Sequence, residues 1–192
     1  MLLSAIIANI PTIFTLASPM PLIARPEPNE YESYYGTYVN KVPEGDVLDI
    51  LERQRREMRQ LLGDLPADKA NYCYAPGKWS IKEVIGHMAD AERVFCYRAL
   101  RFARGDRTPL SSFDENDFVL NANFAQRSLF DLADEYDAVR EGTIQLFRNL
   151  NPDAFMRTGT AGEKEFTVRA LVYIVAGHDR HHLGLLRERY LT

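Results

Sequence analysis

The sequence predicts an all-α protein, a four-helix bundle, on three observations. Apolar residues recur at steps of three and four in four separate stretches. Residues with side-chain capping capacity, Ser80 and Thr167 among them, stand directly before two of those stretches. No run alternates with period two for long enough to make a sheet.

The first stretch, residues 46–63, places Val47, Leu51, Met58, Leu61 and Leu62 at helical spacing with charges between them, and Leu65 follows. The second opens at Ser80, which forms the capping-box pattern S-x-x-E with Glu83. It is expected to run to about Arg104 and to stop at Gly105. The third runs from Ser128 to about Leu150, with a predicted seam of Leu129, Leu132, Tyr136, Val139, Thr143, Leu146 and Leu150. Thr167 opens the fourth, which reaches about Tyr190. Residues 155–166 are expected to form at most a small hairpin around Gly159 and Gly162.

Between the second and third helices lies a long link, residues 105–127, with a short helical turn expected at 114–121. A helix of about 25 residues is roughly 37 Å long at 1.5 Å per residue, and a link of this length can return along it. The link is therefore a candidate crossover that makes those two helices parallel. A connection this long inside a compact domain is usually functional or packed over something.

The chain of 192 residues suits one domain. We assign residues 31–192 to the bundle and residues 1–30 to an N-terminal tail, extended or disordered. The first charged residue is Arg25, so the basic start of a secretory signal is missing, and Pro11 interrupts the apolar run. Translation beginning at Met20 is an alternative. Charged residues make up 26% of the chain, the net charge is −4, and no cluster of Lys and Arg forms a phosphate-tracking face. Nucleic acid and membrane are therefore not expected partners. Two cysteines, Cys73 and Cys96, make neither a disulfide framework nor a cysteine zinc site, and the simplest setting is a reducing cytoplasm.

The four histidines carry the chemistry. His178, His181 and His182 share the fourth helix and His87 lies on the second. At about 100° per residue, His178 and His182 differ by about 40° and fall within the apolar arc of Leu171, Ile174 and Val175. His181 falls just outside that arc. His87 flanks the apolar arc of Val84, Met88, Ala91, Phe95 and Phe102. A core-facing imidazole is costly without partners for its nitrogens. Three of them meeting at a point, with a fourth position open, is the donor set of a catalytic metal site. Nitrogen ligation suits Zn, Ni, Fe(II) or Co. Cys96 lies about 180° from His87 on its helix and is not expected to join. A di-iron carboxylate site is excluded, since no Glu-x-x-His pattern is present.

These residues also carry a resemblance. YAPGKWSIKEVIGHMADAER (74–93), FDEND (113–117) and GHDRHHLG (177–184) resemble the DinB-like, YfiT-type metalloenzyme family, and the likeness spans about residues 31–191. It implies an up-down-down-up bundle and one divalent metal on His87, His178 and His182. It also implies either a transferase of a low-molecular-weight thiol, such as bacillithiol or mycothiol, acting on an electrophilic small molecule, or a metal-dependent hydrolase. A homodimer is expected on the same ground. A non-catalytic metal-binding bundle is the third alternative.

Both enzymatic routes need a proton acceptor or an orienting carboxylate. Asp90 and Glu83, each about a turn from His87, and Asp179 on the fourth helix are the candidates, with His181 as a rim or outer residue. The substrate pocket is expected to involve Trp79, Tyr97 and Phe113, with Phe118 and Phe124 nearby.

Overall fold

The structure, a computed structural model, describes residues 22–191. The proposed start at Met20 and most of the expected tail lie outside the described residues. Six α-helices follow one another: α1 (Gly36–Val39), α2 (Val47–Gly63), α3 (Ile81–Ala103), α4 (Glu115–Ala122), α5 (Leu129–Arg148) and α6 (Val168–Leu185). A π-helical turn, Leu186–Tyr190, prolongs α6. The four long helices are those the periodicity predicts, and α4 is the short turn of the crossover.

Their starts are fixed by side chains that satisfy otherwise orphaned backbone N–H groups. The Asp46 carboxylate accepts from Leu48 N at 2.8 Å, and Ser128 Oγ accepts from Asp131 N at 3.1 Å. Thr167 Oγ1 accepts from Ala170 N at 3.1 Å. Ser80 and Glu83 form the full capping box, Glu83 Oε2 accepting from Ser80 N at 2.7 Å.

Helix α3 packs on α5 and α6, and α2 packs on the same two, so α2 and α3 occupy opposite corners of the bundle. Paired residues rise together between α3 and α5, Glu92 with Arg140 and Cys96 with Thr143. They run oppositely between α2 and α5, Glu52 with Arg148 and Arg55 with Asp137. The core divides into two apolar clusters. One holds Leu51, Phe95, Phe102, Phe147 and Leu171, and the other Met58, Ile85, Met88, Leu132 and Leu183. Between them every long helix contributes a buried polar residue: Gln54, Glu92, Arg140, and His178, Asp179 and His182.

Helix α5 departs from the predicted seam. Leu132, Tyr136, Thr143 and Leu150 are buried as expected, but Arg140, Ile144 and Phe147 replace Val139 and Leu146 as core residues. An α-helix drifts by about 20° per heptad from a strict seven-residue repeat, which carries the buried face from Val139 to Arg140.

Strands β1 (Thr158–Ala161) and β2 (Lys164–Thr167) form an antiparallel hairpin. Its turn puts both Gly162 and Glu163 at positive φ, 58° and 65°, a geometry whose twist matches the paired strands. Leu110 of the crossover adds to its edge, donating to Thr160 O and accepting from Gly162 N, both at 2.9 Å. This contact brings the crossover to the mouth of the bundle.

The chain before α2 is bound to the bundle from residue 23 onward. Ile23 is buried, and its carbonyl accepts from the Tyr173 hydroxyl at 3.0 Å. Arg25 donates to Val39 O at 2.8 Å and Val42 O at 2.6 Å, and Glu30 pairs with Arg169. These clips hold α1 against α6 so closely that a Cβ on Gly177 would lie 2.1 Å from Tyr38 O. Among the described residues no helix is long and apolar enough to cross a membrane.

Gly177→Ala is therefore expected to push α1 off α6. An overpacking cost of about 1–3 kcal/mol should appear in urea denaturation, whereas Gly184→Ala, with open space around it, should be neutral or stabilising.

Candidate metal centre

The face argument for α6 and the apolar arc of α3 predict that three imidazoles meet where the two helices pack, and they do. His87 Nε2 lies 3.1 Å from His178 Nε2, and His182 Nε2 lies 3.2 Å from the same atom. All three rings are buried, with coordinating atoms within 4.8 Å of one another. Burial, followed by the neighbouring histidine, holds His87 down at about 4. Burial pushes His178 and His182 well below the ordinary histidine range, helped by His182 and His87 at the first and by His87 and His181 at the second. All three are neutral at pH 7, so each ring has one N–H and one lone pair.

Neutral rings cannot satisfy one another fully. Three Nε2 atoms compete for the same protons, and His182 Nδ1 is buried without a hydrogen-bond partner among the described residues. Three nitrogen donors converging on one point, with an orphaned ring nitrogen behind, fit a divalent cation that takes the lone pairs.

The triad forms the floor of a cleft of about 390 Å³ walled by aromatic side chains together with Glu32, Arg98, Glu115 and Lys164. The Trp79 ring stands 4.7 Å from that of His87, with its carbonyl held by the Tyr190 hydroxyl at 2.7 Å. Tyr38 of α1 meets His178 edge-on at 5.3 Å and His181 at 5.7 Å. Phe95 touches His178 at 5.9 Å, and Phe113 from the crossover closes another side.

Beneath the floor is a buried ionic layer. Arg140 is fully buried and donates to both oxygens of Glu92, at 2.8 and 2.7 Å, and to Asp179 Oδ1 at 3.0 Å. The Tyr136 hydroxyl donates to the same Asp179 oxygen. Arg140 also reaches Leu51 O and Gln54 Oε1 at 3.4 Å, and Gln54 donates to Ala176 O at 2.7 Å. Burial pushes the Asp179 carboxyl up, against the pull of Arg140. Asp179 Oδ2 has no hydrogen-bond partner among the described residues, and it stands about one turn before the orphaned Nδ1 of His182 on α6.

With the fold and this geometry established, known proteins resolve the family. Residues 50–186 match the DinB superfamily. The chain belongs to the DinB superfamily. It is 24% identical over 139 residues to a proposed metal-dependent hydrolase of Oceanobacillus iheyensis, covering 71% of this chain and 80% of that protein. Among solved structures it resembles YfiT from Bacillus subtilis, described as a probable metal-dependent hydrolase with an unusual four-helix bundle topology. That match has a TM-score of 0.68 at 16% identity and covers 77% of this chain and 87% of YfiT. The mycothiol-dependent maleylpyruvate isomerase matches with a TM-score of 0.62 at 14% identity, over 76% of this chain and 61% of the isomerase.

Within this DinB-superfamily bundle the remaining sequence candidates separate clearly. His181 is half-buried at the cleft rim, beside His182 and Tyr38. Trp79 and Phe113 line the cleft as expected. Tyr97 does not: it is half exposed on another face of α3, where it accepts from Arg101. Phe118 is exposed, and Phe124 packs beneath Gly86. Glu83 is consumed by the capping box, and Asp90 pairs with Arg93 at 3.2 Å. Neither makes a hydrogen bond to a histidine. Asp179 is the candidate carboxylate that lies in the buried layer. Cys96 is turned away from the metal floor, 3.2 Å from Thr143 Oγ1.

Sequence reasoning missed Tyr35, Tyr38 and Arg98, which line the cleft, and the Glu92–Arg140 pair. The cue for the pair was a charged residue at a helical step from Tyr136 and Thr143.

Arg140 is the cation that faces both buried carboxylates, so Arg140→Met, which leaves Glu92 and Asp179 without it, should lower the unfolding free energy by about 3–5 kcal/mol. Arg93→Ala, which breaks half-exposed pairs, should cost at most about 1 kcal/mol. Urea titration distinguishes the two, and equal losses would show that the Arg140 layer is solvated like the surface pairs. In metal-free protein the unfolded chain takes up histidine protons near 6.5, whereas folded His87 takes its proton only near 4. Stability is thus fully present above pH 6.5 and should fall as pH drops towards about 4, by up to about 1.4 kcal/mol per pH unit for each histidine. His87→Ala should flatten that slope.

Proposed function

We propose that this chain is a metal-dependent enzyme in which His87, His178 and His182 hold one divalent transition metal and a low-molecular-weight thiol is transferred to an electrophilic small molecule. The observation that carries the reading is the convergence of three neutral Nε2 atoms at the floor of an open, aromatic-walled cleft. A Zn, Ni, Fe(II) or Co ion bound there would supply Lewis acidity, lowering the pKa of the thiol or water it meets.

The chain's own groups do the rest. Trp79, Tyr38 and Phe95 exclude water from the floor and offer flat apolar surfaces to a small organic substrate. His181 is held below the ordinary histidine range, chiefly by burial, and stands at the rim as a neutral ring able to accept the proton a thiol releases. Asp179 is the carboxylate we assign to orienting His182, because its free oxygen and the free Nδ1 are about one turn apart. The Arg140–Glu92 pair fixes Asp179 in turn. The same reading gives the bundle an up-down-down-up order, supported by the shared direction of α3 and α5 and the opposed direction of α2 and α5.

Thiol transfer is favoured because the candidate bases for water activation on α3 are occupied, Glu83 as a cap and Asp90 by Arg93. Hydrolysis is the second reading, favoured by the descriptions of the Oceanobacillus relative and of YfiT.

Protein purified without a His-tag is expected to contain about one equivalent of Zn, Ni or Fe by elemental analysis. His87→Ala, His178→Ala and His182→Ala should each lose most of it and His181→Ala should retain it. Loss in His181→Ala but not His182→Ala would overturn the ligand set. Asp179→Asn should weaken metal affinity about 10–100-fold. In the Co(II)-substituted protein, an added thiol should shift the visible spectrum. No shift, together with turnover of activated esters in the absence of thiol, would decide for hydrolysis.

A further inference from the structure

Two arginines are buried among the described residues, and their surroundings differ. Arg140 faces two carboxylates. Arg98, 4% exposed, has none within ion-pair distance among the described residues. Its partners are neutral. Nη2 donates to Ser111 O at 3.1 Å, the Tyr35 hydroxyl lies beside it, and its guanidinium sits 5.7 Å from the centre of the Phe113 ring. Burial is the main influence on it and pulls its pKa down, yet a guanidinium remains a cation at neutral pH. An unpaired buried cation costs several kcal/mol, and no carboxylate among the described residues pairs with it.

Arg98 also lines the cleft whose floor is the histidine triad. His87, Ala91, Phe95 and Arg98 recur at four-, four- and three-residue steps, so they form one stripe along α3. Arg98 stands about 16 Å further along the helix than His87, at 1.5 Å per residue. The acidic residues of the cleft do not serve it. Glu32 accepts from Ser33 and Tyr34 N, and Glu115 is exposed on the first turn of α4. Lys164 at the hairpin rim adds a second positive charge to the same cleft.

We propose that Arg98 is the anion-binding residue of the cleft, receiving a carboxylate or similar oxyanion at the end of a substrate remote from the reacting atom. Bidentate pairing with a planar oxyanion is the interaction a guanidinium makes best, and in a shielded cleft it is stronger than in water. The apolar stripe between Arg98 and His87 matches an elongated molecule with an apolar middle. This rests on the reading of the cleft as a substrate site. The oxyanion could belong to the thiol or to the electrophile, and the chemistry at Arg98 is the same for both.

The test uses Trp79, the sole tryptophan, as a fluorescent reporter, with hexanoate and its neutral isostere hexanamide as probes. Titrations are run on metal-loaded and chelator-treated full-length protein. Hexanoate should bind at least about tenfold more tightly than hexanamide in both forms, as expected for one charge-assisted contact. Arg98→Gln should abolish that preference and Arg98→Lys should retain part of it, with thermal unfolding confirming that both variants are folded. Equal binding of the two probes to wild-type protein would overturn the proposal without any variant. A preference confined to metal-loaded protein and unchanged in Arg98→Gln would place the carboxylate on the metal, overturning the role of Arg98 while supporting the metal centre. A preference that survives in a protein unable to bind metal would uphold Arg98 and remove the proposed chemistry. 6-Mercaptohexanoate then identifies the source. Tighter binding than both hexanoate and 6-mercaptohexanol assigns the oxyanion to the thiol, and affinity equal to that of hexanoate assigns it to the electrophile.

Discussion

The guanidinium of Arg140 is the point at which all four long helices meet. From α5 it reaches Glu92 on α3, Asp179 on α6 and the Leu51 carbonyl and Gln54 side chain on α2. A buried ion set of this kind is weak evidence for net stability, since desolvation offsets most of the Coulombic attraction. Its geometric effect is stronger. Only one rotation and one axial offset of each helix satisfy every donor at once, so the layer sets the register between two apolar clusters that would otherwise tolerate sliding. The histidines sit directly above that layer on α3 and α6, whose register it fixes, and imidazoles nearly a hundred residues apart in sequence thereby arrive within hydrogen-bonding distance.

What could be read in the sequence follows from what is periodic or local. The caps Ser80, Ser128 and Thr167 announce helix starts because a short polar side chain before an apolar run has a specific backbone task. The choice of His178 and His182 over His181 follows from the rotation per residue on one helix, and it survives because α6 is regular up to Leu185. The structure brings those two rings together with His87.

The rest depended on partners far away in the chain. Arg140 reads as surface charge until three other helices are placed around it, and burial of an arginine is decided entirely by those partners. Tyr97 lies ten residues beyond His87, a spacing close to 280° round the helix, which puts it on a different face from the cleft. Tyr35 ends a three-residue 3-10 turn and Tyr38 sits on the four-residue helix that follows, elements too short to show periodicity. Their place in the wall is set by the clips from Arg25 and Glu30 and by the bare face of Gly177.

The cleft therefore has two origins along the chain. Its floor comes from α3 and α6, inside the segment shared with the DinB superfamily, whereas its tyrosine wall comes from residues that precede that segment. The wall meets the floor through aromatic edges, Tyr38 against His178 and His181, and through the close approach of Tyr38 O to Gly177. Inheritance can act on the two separately. A change in the lead-in before the first long helix can alter the shape and polarity of the cleft without altering any residue of the nitrogen cluster beneath.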